Sequence, residues 1–508
     1  MKQKFDWILF ISILVSVSIG IIILYSQDVN LEDPSNRWLK QLTFFIIGLV
    51  FFYLFYKMNY NTLEIYFLPI YFIAIFLLIL TLIPLIGSEI KGARSWIKIG
   101  GIGFQTSEFA KFATIVFIAK YLELKKKEMD QLKSLVIPSI IFLIPMVLIV
   151  VQPDLGGAII FAPILLSMLF IGNADILHIS SIILFLSISF LIPLYVEYHN
   201  IVLVEDVIER LGAMEKLNFI PALNILKFQI WKFLDTGKIP KSIEGSDLEY
   251  LSNLIQNPIL FSELKEIAFS VRYEKSNFLL KILDNDTLFL ILSFILLSIS
   301  IILLTIRRTQ GNFYKDLRKY YIPLGVVGMS LLSAYVIHNT ISLKYHQVVR
   351  VTAFINPDKF SKDLAYQIRA SKVAVGSGSF LGKGIFKAEM TTGQNPLVPE
   401  SFTDFIFSSW AERTGFLGSL ILIIALILIP IRGFFIAIQA KDNFGRMLAA
   451  GISFLFLYHI VFNLGIELGL MPVTGLPLSF VSYGGSHLLL CMTSAGVLES
   501  IYSKRFIN

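Results

Sequence analysis

ILFISILVSVSIGIIILY, residues Ile8–Tyr25, runs for eighteen residues without a charge. An α-helix needs about 20 such residues to cross the hydrocarbon core of a bilayer. The run follows Met-Lys-Gln-Lys, as a secretory leader would, but no small-residue cleavage site comes after it and further apolar runs do. It is therefore expected to remain as a membrane helix. Comparable runs lie at about 38–56, 63–87, 104–122, 134–151, 155–171, 176–196, 287–306, 320–338, 404–430, 447–467 and 477–500, twelve in all. Of the 508 residues 56% are hydrophobic and 16% charged, against about 25% charged in soluble domains. This composition specifies an all-α polytopic integral membrane protein. Its net charge of +7 gives no reason to expect nucleic acid, because Lys and Arg collect in the cytoplasmic loops of membrane proteins. The single cysteine, Cys491, excludes an internal disulfide.

Positive charge sets the orientation. With a cytoplasmic N-terminus, the short inner loops hold Lys125 to Lys127, then Arg307, Arg308, Lys315, Arg318 and Lys319, then Arg432, Lys441 and Arg446, and finally Lys504 and Arg505. Both termini are then cytoplasmic and the two long polar segments, 197–286 and 339–403, face outward. The first is net acidic but rich in Leu, Ile and Phe at helical spacing, as in Ile259 to Phe269, so it is expected to fold as a small helical domain. The resulting organisation is N-terminal spans over 1–196, the insertion over 197–286, a further span pair over 287–338, the outer loop over 339–403 and C-terminal spans over 404–508.

Five groups of polar residues could carry chemistry. Glu108 and Lys111 are neighbours on one helix face within an apolar run, where ionisable groups pair with each other or face a cavity. Gln152 and Asp154 flank Pro153 between two runs, as a capped turn or as polar groups at a cavity mouth. The 339–403 segment holds six Lys and two Arg against two Asp and two Glu, a net of +4. A transfer to a hydroxyl needs a base at that hydroxyl, and a departing phosphate needs cations. Asp358, Asp363 or Glu400 suits the first role, and Arg350, Arg369, Lys372 or Lys383 the second. The cluster Gly376-Ser-Gly-Ser-Phe-Leu-Gly-Lys-Gly384 fails the P-loop pattern and reads either as a turn or as backbone approaching a phosphate. Glu400, Thr403 and Asp404 precede a late span, with Thr403 a candidate helix N-cap. Glu412 and Arg413 lie within that span. The glycine- and proline-rich stretch from Met471 to Ser486 suits a cavity wall, since broken backbone at membrane depth must be buried or line one. The six His are scattered singly and show no metal-ligand spacing. No cofactor is evident, and a divalent cation is left open.

GARSWIKIG (92–100), FQTSEFAK (104–111), QPDLG (152–156), YQIRASKVAVGSGSFLGKG (366–384), PESFTDFIF (399–407) and GLPLSFVSYGGS (475–486) follow one another in an order that resembles the SEDS family of shape, elongation, division and sporulation proteins. That resemblance covers about 90–172 and 345 to the C-terminus, and is closer to the elongation-type members. It implies a bundle of about ten core spans, here with two extra spans and the small extracytoplasmic insertion. It implies a peptidoglycan glycosyltransferase that polymerises lipid II, the undecaprenyl-pyrophosphate-linked disaccharide-pentapeptide, at the outer face of the bacterial cytoplasmic membrane. A class B penicillin-binding protein would be its transpeptidase partner. Carried over residue by residue, Glu108 and Lys111 match the intramembrane pair, Gln152 and Asp154 the outer turn, and Arg350 the arginine before the loop. Gln367 and Lys372 fall in the matching loop motif, and Glu400, Thr403 and Asp404 at the start of the late helix. The family's essential aspartate falls on Phe360, so Asp363, with Asp358 as the alternative, is the expected base. Phe402 stands where histidine is usual, and Arg413 where glutamate is usual. A flippase for lipid-linked precursors and an inactive scaffold are the competing readings.

Overall fold

The computed structural model describes residues 4–29, 36–90, 93–99, 102–129, 132–226, 229–239, 243, 245–275, 286–310, 318–340, 345–356, 364–392 and 396–505. The chain divides into one unit of residues 1–179 and 361–508 and a second of residues 180–360. The first unit begins with α1 (Trp7–Val29), α2 (Arg37–Lys57), α3 (Asn61–Ile65) and α4 (Phe67–Leu82). Strands β1 (Gly87–Ile90), β2 (Ala93–Ile99) and β3 (Ile102–Gln105) follow, then α5 (Thr106–Leu124), α6 (Leu132–Val151), α7 (Leu155–Ile159) and α8 (Phe161–Ile171). Helix α9 (Ile176–Ala213) leads into the second unit, made of α10 (Ile220–Leu226), α11 (Ile230–Thr236), α12 (Ser246–Gln256), α13 (Pro258–Lys275), α14 (Asp286–Gln310), α15 (Arg318–Thr340) and α16 (Tyr345–Ile355). The chain returns to the first unit with α17 (Leu364–Ser377), α18 (Ile406–Gln439), α19 (Asn443–Glu467) and α20 (Gly485–Lys504).

This is a helical multi-pass membrane protein. Among the described residues eight helices are long and apolar enough to cross a membrane: α1, α2, α6, α9, α14, α15, α18 and α19. The other four of the twelve expected spans are also helical but fall short for identifiable reasons. Helix α4 has 16 residues, and the run expected at 155–171 is divided between α7 and α8. Helix α5 carries Glu108, Lys111, Lys120 and Glu123, and α20, though 20 residues long, is made less apolar by Ser486, His487, Ser494, Glu499 and Ser500. The all-α class holds, with one short sheet beside the helices. Ala93–Ile99 is the middle strand of a three-stranded antiparallel sheet, with Ser88 opposite Trp96 and Trp96 opposite Gln105. Its period of two is visible in burial, Ser95 and Ile97 inward and Lys98 outward. β3 runs directly into α5 and so fixes where the first turn of α5 begins.

Within the second unit, α9 continues unbroken past residue 197 to Ala213. Its last turns join α10 to α13 around a core that includes Val207, Leu211, Leu223, Phe233, Leu251 and Leu264, the apolar content that the sequence advertised. Ion pairs Lys275–Asp206 (3.1 Å) and Arg210–Glu274 (2.8 Å) close its rim. Helices α14 and α15 form an antiparallel hairpin joined by Ser293 Oγ to Gly328 O (3.1 Å) and Ser300 Oγ to Tyr321 O (2.8 Å). Small residues and hydroxyls are the usual means of bringing membrane helices together, where lipid removes the hydrophobic drive.

The centre of the first unit is packed from Ile19 and Ile23 of α1, Ile406, Phe407 and Trp410 of α18, Ile460 of α19, and Leu478 and Val481 of the irregular segment 468–484. Helix α1 meets that segment so closely that a Cβ on Gly20 would lie 2.3 Å from the Val481 carbonyl oxygen. Gly20→Ala is therefore expected to lower unfolding stability in detergent by about 1–3 kcal/mol through overpacking. An unchanged melting temperature would contradict the contact.

Candidate active site

Glu108 and Lys111 face inward one turn apart on α5, with Lys111 Nζ 2.6 Å from Glu108 Oε1. Two histidines from other helices complete the cluster. Lys111 Nζ lies 3.2 Å from His459 Nε2 of α19, and His487 Nδ1 of α20 lies 2.9 Å from Glu108 Oε2. An ammonium group has no lone pair, so His459 Nε2 must accept, and its Nδ1–H then donates to Pro477 O at 3.1 Å. Beyond His487, its Nε2 contacts Cys491 Sγ at 3.6 Å. One donor atom each from Glu108, His459 and His487 lies within 4.8 Å of the others, an arrangement that could hold a metal. Lys111 already stands among them, bonded to two, so the cation these donors require is supplied by the chain. Glu108 and Lys111 are 3% and 1% exposed, and offer no surface to a bound substrate in this conformation. The partners His459 and His487 lie 348 and 379 residues from α5 and carried no signal in the sequence.

Immediately above, Asp154 caps α7 through Gly157 N (2.8 Å) and accepts from Gln105 Nε2 (3.3 Å) and Ser107 Oγ (3.4 Å). Ser486 Oγ, at the start of α20, donates to Gly103 O (2.9 Å) and accepts from Gln105 N (3.1 Å). Gln152 is fully buried, its Nε2 donating to Leu78 O (2.9 Å) and to Thr81 Oγ1. It ties α4 to the end of α6 rather than facing outward. Asp154 remains half-buried at the surface of this polar layer.

The glycine cluster is a backbone joint. Helix α18 breaks at Gly415 (φ 63°, ψ −158°), and the loop after α17 packs into the break. Lys383 N donates to Glu412 O (3.0 Å), Gly384 N to Arg413 O (2.9 Å) and Phe416 N to Ser379 O (2.9 Å). A Cβ on Gly382 would sit 2.1 Å from Arg413 O, which explains glycine there without any phosphate. The buried Glu412 carboxylate then accepts from Lys383 Nζ (3.0 Å), Glu389 N (3.0 Å), Met390 N (3.0 Å) and Thr391 Oγ1 (2.8 Å). Lys383 is thus held by a carboxylate rather than presented to a leaving group. Arg413 closes the other side through Ser26 Oγ (2.9 Å), Ile385 O (3.1 Å) and Thr391 Oγ1 (2.9 Å).

At the start of α18, Glu400 adopts φ 58° and its carboxylate accepts from Thr403 Oγ1 (3.1 Å). Thr403 is not the N-cap expected from sequence. The helix begins at Ile406, and its free amides at Phe407 (3.0 Å) and Ser408 are taken by the Glu467 carboxylate from the end of α19. Asp404 is half-buried, its carbonyl accepting from Asn463 Nδ2 (2.9 Å). Helix α17 is fastened to the same place by Ser371 Oγ to Glu467 O (2.9 Å). That leaves Lys372 exposed, its stem lying over Gly469, and Gln367 partly exposed. Arg350 belongs to α16 of the second unit, where it is half-buried. Asp358 and Asp363, with Phe360, lie outside the described residues. The first unit therefore brings together Glu108 with Lys111, and separately sets Asp404 and Lys372 around the end of α19, with Glu400 bonded to Thr403.

A family model described as "Cell cycle protein", for FtsW, RodA and SpoVE, matches residues 6–212 and 279–506. The chain belongs to this family. The match leaves out the helical domain and takes in α14 and α15. A peptidoglycan glycosyltransferase RodA of Treponema pallidum is 29% identical over 99% of this chain and 98% of its own length. A probable peptidoglycan glycosyltransferase FtsW of Trichlorobacter lovleyi is 25% identical over 98% and 93%. Among solved structures, a chain of a peptidoglycan synthase complex, described for its coordination of polymerization and crosslinking, superposes with a TM-score of 0.59 at 19% identity, covering 99% of both chains. The rod shape determining protein RodA of Thermus thermophilus gives 0.51 at 18% identity, covering 100% of this chain and 99% of that one. These likenesses establish the fold.

Because the cluster on α5 is charge-balanced, single and double substitutions at it should differ sharply. Lys111→Met leaves a buried carboxylate short of its cation and is expected to cost about 3–5 kcal/mol. Adding Glu108→Gln should recover most of that loss in unfolding experiments on the purified protein. Equal instability of the single and double variants would show that the pair is not the source of the effect.

Proposed function

We propose that this chain is a peptidoglycan glycosyltransferase, polymerising lipid II at the outer face of the bacterial cytoplasmic membrane during elongation. The observation that carries the reading is the family match across nearly the whole membrane part of the chain. The relatives named above as glycosyltransferases align along almost their full lengths. In this reading both termini are cytoplasmic, and the segments around 197–286 and 339–403 face outward. A class B penicillin-binding protein supplies the crosslinking activity.

The reaction joins an acceptor hydroxyl to the anomeric carbon of a donor sugar, and the bond from that carbon to the diphosphate breaks. A loop carboxylate takes the hydroxyl proton, Asp363 by preference and Asp358 otherwise, since the family's usual position holds Phe360. Glu400 and Asp404 line the mouth. Gln367 and Lys372 orient the donor and offset the charge left on the diphosphate. Holding both lipids in one chamber supplies the orientation that a two-substrate reaction needs. Glu108, Lys111, Gln152 and Asp154 then act as the frame beneath that chamber.

Purified protein with its transpeptidase partner, reconstituted in vesicles with lipid II, is expected to form glycan polymer. Asp363→Ala should lower the rate by about 10²–10⁴-fold, the usual worth of a general base. Loss confined to Asp358→Ala would move the base to that residue. No polymer from the parent protein, under conditions where the partner co-purifies, would favour a scaffold.

A further inference from the structure

Arg37 is the first residue of α2, and its guanidinium lies over the Phe402 ring with Cζ 4.1 Å from the ring centroid. Its surroundings fix that position from three sides. The Asp28 carboxylate accepts from the backbone amides of Arg37 (2.6 Å) and Trp38 (3.4 Å), so this acid caps the helix rather than pairing with the guanidinium. One turn later, Gln41 donates to Ser482 O (3.1 Å) and accepts from Gly484 N (3.3 Å), which anchors α2 to the irregular segment. Phe402 is held in turn by Tyr483 N donating to its carbonyl (3.0 Å), with the two rings 6.3 Å apart. Among the described residues no carboxylate forms an ion pair with Arg37, and the side chain is partly exposed. Beside it Trp38 packs edge-on to Tyr25 (5.3 Å), and Tyr25 packs against Phe386 (6.2 Å), with Tyr25 and Phe386 open to the outside. Trp and Tyr in such a group mark the level of the lipid headgroups.

We infer that Arg37, stacked on Phe402, is a binding site for the diphosphate of a lipid-linked substrate at headgroup depth. The inference rests on the proposed function and names a residue that this reading did not use. An aromatic face under the guanidinium fixes its plane and leaves the N–H donors at its edges. That edge matches two phosphate oxygens in a way that a lysine ammonium does not. Phe402 lies between Glu400 and Asp404, so a diphosphate on Arg37 would bring the attached sugar beside the carboxylates at the mouth.

The full-length protein in phosphatidylcholine nanodiscs can be titrated with undecaprenyl diphosphate, with undecaprenol, and with phosphatidylglycerol, and binding read by native mass spectrometry. Arg37→Ala should weaken the diphosphate by about tenfold or more, the scale of a charge-assisted contact, and leave undecaprenol unchanged. Arg37→Lys and Phe402→Leu should fall between. The Asp28 cap uses only the backbone of Arg37, so the variant should melt as the parent does. Diphosphate binding within twofold of the parent in Arg37→Ala would overturn the inference. So would a loss seen for phosphatidylglycerol alone, which would assign the site to bulk phospholipid. The titration requires no turnover: intact binding with no glycan made refutes the polymerase and leaves this site standing. Polymerisation by Arg37→Ala with an unaltered KM refutes the site and leaves the polymerase.

Discussion

Residues 468–484, between α19 and α20, have no helix to satisfy their amides and carbonyls. At membrane depth each of those groups must nevertheless find a partner. The partners come from all round the first unit. Asn463 donates to Leu476 O and His459 faces Pro477 O. Ser482 accepts from Leu478 N and donates to Thr403 O, and Gln41 serves Ser482 and Gly484. Gly20 admits the Val481 carbonyl against α1. An irregular segment bonded to three other parts of the chain and packed against a fourth fixes their mutual positions. Residues 400–405 are among the parts so fixed.

The same demand explains the long reach of Glu467. The first amides of α18 have no carbonyl to bind and concentrate positive partial charge. A carboxylate from the end of α19 meets two of them, while the Glu467 carbonyl receives Ser371 of α17. Three helices therefore converge at one buried acid. Ten residues into α18 the break at Gly415 lets a second loop bond to the helix backbone, and Glu412 and Arg413 hold that loop from opposite sides of Thr391. Loop and helix are joined both at the mouth and at the break.

Much of this was legible in the residues. Apolar runs gave the helices, the leucine- and phenylalanine-rich insertion gave a helical core, and the motif order gave the family. Glu108 with Lys111 was visible because three residues on a helix is a local spacing. The histidines were not visible, because contacts across hundreds of residues leave no local pattern. The strand Ala93–Ile99 was hidden by its brevity and by the glycines that flank it. Thr403 was misread because the cap that replaces it, Glu467, lies 60 residues beyond the Phe407 amide it receives. The glycine cluster left a turn and a phosphate cradle equally open, since glycine serves both, and only the approach of Arg413 O decided between them.

A formal charge count misleads about what a phosphate would meet. The 339–403 segment carries a net of +4, yet a cation bonded to a carboxylate contributes little field beyond the pair. Lys383 is held 3.0 Å from a fully buried Glu412, and removing it would strand that acid. Its charge belongs to the fold. Lys372 differs, exposed on α17 with its stem supported by Gly469. Arg37 differs further, since it lies outside the basic segment altogether and is reached from the α1–α2 side. In the proposed function, anion recognition therefore falls to cations such as Lys372 and Arg37, which among the described residues form no ion pair with a carboxylate, and tertiary contacts rather than loop composition decide which these are.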